Sequence, residues 1–88
     1  TFDRVNPEDQ IICCAVQIKK DSCFARKSIM RSGFRRAYKG FIVAIERGNL
    51  PIIDPNIRTV IEEGDILWIM GTKETADMLL ADGLMEEG

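Results

Sequence analysis

Six of the twelve basic residues of this 88-residue chain crowd into one short stretch: Arg26, Lys27, Arg31, Arg35, Arg36 and Lys39. No acid interrupts it between Phe24 and Ile45. Planar guanidiniums suit two-pronged contact with phosphate, so the stretch is a candidate anion site for a phosphorylated small ligand. It reads equally as a solvated basic face that meets acid elsewhere in the fold or on a partner. The last third supplies that acid in Glu62, Glu63, Asp65, Glu74, Asp77, Asp82, Glu86 and Glu87. Lys27, Arg31 and Arg35 recur every four residues, a spacing that one continuous helix would gather on one face.

Other chemistries fare worse. A phosphate-cradling loop needs G-x-x-x-x-G-K-[ST]. Here Gly64 and Gly71 stand seven apart around the apolar run I-L-W-I-M, and Gly71-Thr72-Lys73 reverses the Lys-Thr order. The chain has no histidine, which removes Ser-His and Cys-His catalysis and the usual neutral-pH base. Its three cysteines include no C-x-x-C, so a metal site is not expected. Cys13 and Cys14 are adjacent and on a strand would point to opposite faces. Glu62 and Glu63 read as a solvated turn. No catalytic residue, metal ligand or cofactor is expected. A net charge of −2 with a single basic cluster gives no reason to expect nucleic acid.

These residues need a frame. The length fits one small domain with a limited core. No apolar run approaches the ~20 residues that span a bilayer, and no signal peptide is visible. Residues 1–10 read as a polar connector with one helical turn started at Pro7, residues 11–82 as the domain, and residues 83–88 as a tail. The run I-I-C-C-A-V-Q-I at residues 11–18 predicts a strand covered on both faces. Residues 26–38 carry Met30, Phe34, Ala37 and Tyr38 at helical spacing, with Gly33 predicting a short or broken helix. F-I-V-A-I at residues 41–45 is a strand. Residues 50–53 return as a short strand that Pro51 confines to an edge or a bulge. Residues 59–61 are a brief extended piece. Gly64-Asp65 turns into a buried strand over residues 66–70, in which Trp68, being mid-strand, is expected to pack in the core, with an interface as the other option. A last helix starts at Thr72 as N-cap and ends at Gly83, with Leu84 folding back. The order strand, helix, strand, strand, strand, helix predicts an α+β fold: a small sheet of about four strands with two helices on it.

A-R-K-S-I, then F-R-R-A-Y-K-G-F-I-V-A-I-E-R-G-N-L-P, D-P-N, and V-I-E-E-G-D-I-L-W-I-M-G together resemble the TrkA-C domain, the C-terminal half of the regulator of potassium conductance (RCK_C). The resemblance spans roughly residues 11–80. Ala25-Arg26 departs from the glycine that often precedes the Lys-Ser of this family. The resemblance implies a cytoplasmic, usually dimeric module with no membrane insertion of its own, attached to or associated with an inner-membrane potassium transporter, channel or cation/proton antiporter. It implies a small regulatory ligand, such as cyclic di-AMP held between two subunits. Ile29, Arg35, Ile42 and Pro55 would then face the ligand, Arg35 meeting phosphate while Ile29 and Ile42 pack on the bases. Gly40 and Phe41 stand where cyclic di-AMP binders often carry polar residues. The other reading is a dimerisation module of a transporter's cytosolic region with no ligand at all.

Overall fold

In the computed structural model, which describes residues 10–85, four strands form one antiparallel sheet with three short helices packed against one side. In chain order these are β1 (Ile12–Gln17), α1 (Ile29–Ser32), α2 (Phe34–Tyr38), β2 (Phe41–Arg47), β3 (Leu50–Ile53), β4 (Ile66–Gly71) and α3 (Lys73–Ala81). The spatial order is β1-β4-β2-β3, so the latest strand in sequence lies in the middle. The expected order holds, with the first helix split in two. The expected turn at Pro7 lies outside the described residues.

Side-chain alternation sets which face is buried. In β1, Cys14 and Val16 point into the core while Cys13, Ala15 and Gln17 point out. In β4, Leu67 and Ile69 are fully buried and Trp68 and Met70 take the other side. Two expectations are thereby corrected. β1 is covered on one face only and lies at the sheet edge, because small cysteines and alanine let its outer side read as apolar without being packed. Trp68 is half-buried on the outer face, and its indole N–H donates to Glu46 Oε1 at 2.7 Å. Among the described residues, this outer face carries little charge and leaves Phe41, Ile53 and Met70 exposed.

β2 presents a register problem that a bulge solves. Ile42 pairs with Ile69 and Ile45 with Leu67, both on the core side, yet they are three residues apart. A regular strand would send them to opposite faces. The irregularity between Ile42 and Ala44 restores the pattern, and the Val43 carbonyl accepts the Asp54 N–H at 2.9 Å. β3 is an edge strand, which is where Pro51 is tolerated.

The core joins Val16, Ile18, Ile45, Ile61, Leu67, Ile69 and Leu79 to an aromatic group made of Phe34 and Tyr38 from α2 and Phe24 from the turn ahead of α1. Phe34 and Tyr38 have ring centroids 4.9 Å apart, and Phe24 meets Phe34 edge-on at 5.2 Å. The helix ends follow their sequence signals. Thr72 caps α3, its N–H donating to Thr75 Oγ1 at 3.3 Å. Gly83 takes a left-handed φ of 70°, and the N–H groups of Gly83 and Leu84 donate back to Leu80 and Leu79. α3 is seated closely. A Cβ on Gly40 would stand 2.7 Å from Ile69 Cγ2 and 2.9 Å from Thr75 Cγ2, and one on Gly71 would collide with the same Thr75. The buried Thr75 hydroxyl also donates to the Lys39 carbonyl at 3.1 Å.

Tyr38 fastens α2 to the end of α3 by donating its hydroxyl to Asp82 Oδ2 at 2.7 Å. Burial, reinforced by that bond and the Asp82 charge, pushes the phenol pKa from its ordinary 10 up to about 12. A pKa raised on folding gives stability that is intact below pH 10 and lost as pH climbs through 12. In urea titrations from pH 8 to 12, the wild-type chain is therefore expected to lose more stability between pH 10 and 12 than Tyr38→Phe. Parallel curves for the two chains would refute this.

Candidate functional site

The basic stretch does not form the single helix face its spacing allows. Gly33 adopts a left-handed φ of 68° and ends α1 after one turn, and Lys39, left-handed at 55°, ends α2. Lys27 precedes α1, Arg31 lies on α1 and Arg35 on α2, so the three are not stacked on one face. The break sets α2 off from α1 and opens a cleft of about 660 Å³ beside them. Its apolar wall is Ile29, Met30, Phe34 and Ile57, and its basic rim is Arg35, Arg36 and Lys39.

The cleft is assembled from both halves of the chain. The first amides of α1 lack partners within the helix, and the 57–61 segment supplies carbonyls for them. Met30 N–H donates to Ile57 O and Ile29 N–H to Thr59 O, each at 2.9 Å. Arg26 N–H donates to Ile61 O at 2.7 Å, and Ile61 N–H returns a bond to Lys27 O at 2.8 Å. Ser28 Oγ accepts the Arg31 N–H at 3.1 Å as the N-cap. The extended piece expected at residues 59–61 is thus the shelf on which α1 rests. Asn56 shapes the preceding turn, its Oδ1 accepting the Arg58 N–H at 2.8 Å.

The shelf is pinned by an ion pair. Arg47 donates through Nε to Asp65 Oδ1 at 3.0 Å and through Nη2 to Asp65 Oδ2 at 2.8 Å. The same Nη2 donates to Val60 O at 2.8 Å, and Asp65 Oδ2 also accepts the Glu62 N–H at 2.8 Å. These bonds to Asp65 hold the Arg47 guanidinium pKa above its ordinary value, against the opposing effect of burial. Asp65 reads as turn in the sequence but is 1% exposed. The signal that could have found it is Arg47 at the end of a strand that opens with five apolar residues, since such a cation needs a partner as it approaches the core.

Charge on the rim is only partly compensated. Lys39 pairs with Glu74 at 3.0 Å, both side chains well exposed, the one ion pair between the basic stretch and the acidic third among the described residues. Among the described residues Arg35 and Arg36 form no ion pair. The Arg35 guanidinium lies over the Phe41 ring, 4.2 Å from its centroid.

Of the residues expected to face a ligand, Ile29 and Arg35 line the cleft together. Ile42 lies on β2 next to Phe41, packed partly against the core, and Pro55 is half-buried two residues before Ile57; neither lines the cleft. Arg36 and Lys39 of the basic stretch line it as well, and Met30 and Ile57 line it without having been expected to face a ligand. Met30 and Ile57 are more than half exposed, the mark of apolar residues placed outside the core. Among the described residues, no helix is long and apolar enough to cross a membrane.

A four-stranded antiparallel sheet with helices on one side, and a cleft with apolar wall and cationic rim at its broken helix, define a small α+β module able to receive an anionic ligand with an apolar part. The TrkA-C domain matches residues 15–82, and the chain belongs to that family. Solved structures agree. The RCK_C domain dimer of S. agalactiae BusR in complex with c-di-AMP superposes with a TM-score of 0.70 at 26% identity, covering 78% of this chain and 91% of that one. The RCK C domain of the potassium transport protein KtrA, also in complex with c-di-AMP, is 31% identical with a TM-score of 0.64, covering 85% and 84%. The GsuK channel bound to NAD gives a TM-score of 0.72 at 25% identity, but this chain spans only 13% of its length. No curated protein matches the sequence.

One expectation is overturned. S. agalactiae BusR in complex with its busA-promotor DNA is similar at 25% identity and a TM-score of 0.70, so excluding nucleic acid does not stand. This chain covers 36% of that BusR chain. The charge balance of one domain does not report what the rest of a protein carrying it binds.

Proposed function

We propose that this chain is a non-catalytic, cytosolic regulatory module that dimerises and binds a small anionic ligand, a nucleotide such as cyclic di-AMP, thereby biasing potassium or other cation transport by the protein it belongs to or associates with. The observation that carries this reading is the cleft: an unpaired Arg35 and Arg36 among the described residues, set beside the exposed apolar side chains of Met30 and Ile57. A phosphate meets the guanidinium of Arg35, and a base packs on Ile29 beside Met30 and Ile57. Similarity to KtrA and BusR domains in complex with c-di-AMP supports the ligand class, and similarity to KtrA and GsuK supports the link to ion flow.

Calorimetric titration with cyclic di-AMP and NAD tests the ligand. Arg35→Ala is expected to weaken binding by at least about tenfold, the loss of one charge-assisted contact. Dimerisation is expected to persist in that variant. No heat and no thermal shift with any nucleotide would remove the ligand from this reading. The second reading, a dimerisation module without a ligand, draws on the apolar outer sheet face with exposed Phe41, Ile53 and Met70. A monomer in sedimentation at high concentration would count against it.

A further inference from the structure

We propose that Phe41 is the positioning residue for Arg35: its ring orients the guanidinium for ligand contact without using any of its hydrogen-bond donors. The inference rests on the reading of the cleft as an anion site. Its basis is the stacked geometry, with the guanidinium carbon 4.2 Å from the ring centroid, well inside the ~6 Å range of cation–π attraction. A flat cation on a flat ring spends only one face. All its N–H groups lie in its own plane and stay available for a two-pronged bond to phosphate. Pairing with a carboxylate would hold Arg35 equally well but would occupy those donors and cancel the charge. Among the described residues Arg35 has no such carboxylate.

The platform is better anchored than the group it carries. Phe41 opens β2, in register with Met70 of the central strand β4. Arg35 is on a five-residue helix bounded by left-handed residues at both ends, with an exposed side chain of many rotamers. A fixed ring narrows those rotamers before the ligand arrives, so less freedom is lost on binding. Phe41 itself is 53% exposed, far more than core packing requires of a phenylalanine. Where a polar residue would contact a ligand directly, this chain carries a ring that acts through its arginine.

The test uses the full chain and two probes, cyclic di-AMP and inorganic pyrophosphate. In nuclear magnetic resonance spectra of the free wild-type protein, the Arg35 Cδ and Nε protons are expected to be shifted upfield by the ring. In Phe41→Leu that shift is lost, affinity for the probe falls about 2- to 5-fold, and the melting temperature stays near wild type. Phe41→Trp is expected to restore both shift and affinity, which a merely space-filling role would not require. Unshifted Arg35 protons in wild type, wild-type affinity in Phe41→Leu, or failure of Phe41→Trp to restore it each overturns the inference. A wild-type chain that binds pyrophosphate but not cyclic di-AMP overturns the nucleotide reading alone, and the ranking of variants with pyrophosphate then decides the role of Phe41. Binding of neither probe overturns both.

Discussion

Arg47→Ala is expected to cost about 3–5 kcal/mol in equilibrium urea unfolding, a large share of what a small domain has. The size follows from what is left behind. Asp65 is 1% exposed, and without Arg47 its carboxylate keeps only the Glu62 N–H. A buried charge stripped of its partner is far more costly than a pair that was never there. The reverse lesion is milder. The Arg47 side chain is 39% exposed, so Asp65→Ala lets the guanidinium turn to water and should cost about 1–3 kcal/mol. Arg47→Lys should recover only part of the loss, because a single ammonium cannot grip both carboxylate oxygens and the Val60 carbonyl together. A loss below about 1 kcal/mol for Arg47→Ala would show that water reaches Asp65 and that the pair is not a keystone.

Phe34→Ala is the second large effect, expected at about 3–5 kcal/mol by the same measurement. Phe34 has no exposed surface and touches both other rings of the core, Phe24 and Tyr38. Removing the ring forfeits its transfer energy and leaves a hole that two edge-on rings cannot close without giving up their own geometry. Because Phe34 is also part of the cleft wall, this variant should lose ligand affinity along with stability. Phe34→Leu should be much milder in both. Equal losses for Ala and Leu would point to ring–ring geometry rather than volume.

The scaffold was readable because strand and turn chemistry is local. Pro51 marked an edge strand, Gly33 a broken helix, Thr72 and Gly83 the ends of α3, and all stand where those residues placed them. What went unread is what depends on three-dimensional neighbours. Composition could not tell that Cys13 and Ala15 lie on an open face, since small apolar residues fit either environment. Trp68 reads as core from its mid-strand position, whereas its N–H partner Glu46 lies on the neighbouring strand. Asp65 in a glycine-containing turn gives no local sign that it will be buried under Arg47. At the cleft, Ile29 and Arg35 were legible, but Ile57 joins them only because α1 borrows its carbonyls from a segment some thirty residues later.

The contact among Gly40, Gly71 and Thr75 bears on how such a sequence can drift. Gly40 adopts no special backbone angle; what excludes a larger residue there is the nearness of Thr75 and Ile69. Three positions spread over the chain therefore share one small volume, and none can grow while the others hold their size. Substitution along that seam has to arrive as a matched exchange, such as alanine at 40 with smaller residues at both 69 and 75. The replacement at 75 must also keep a hydroxyl, because that oxygen holds the carbonyl of Lys39 at the rim of the cleft. At position 75 serine alone is smaller and keeps the hydroxyl, so the freedom to remodel α3 against the sheet is one residue wide there, and Gly71 stays excluded from growing because serine retains the Cβ and oxygen it would meet.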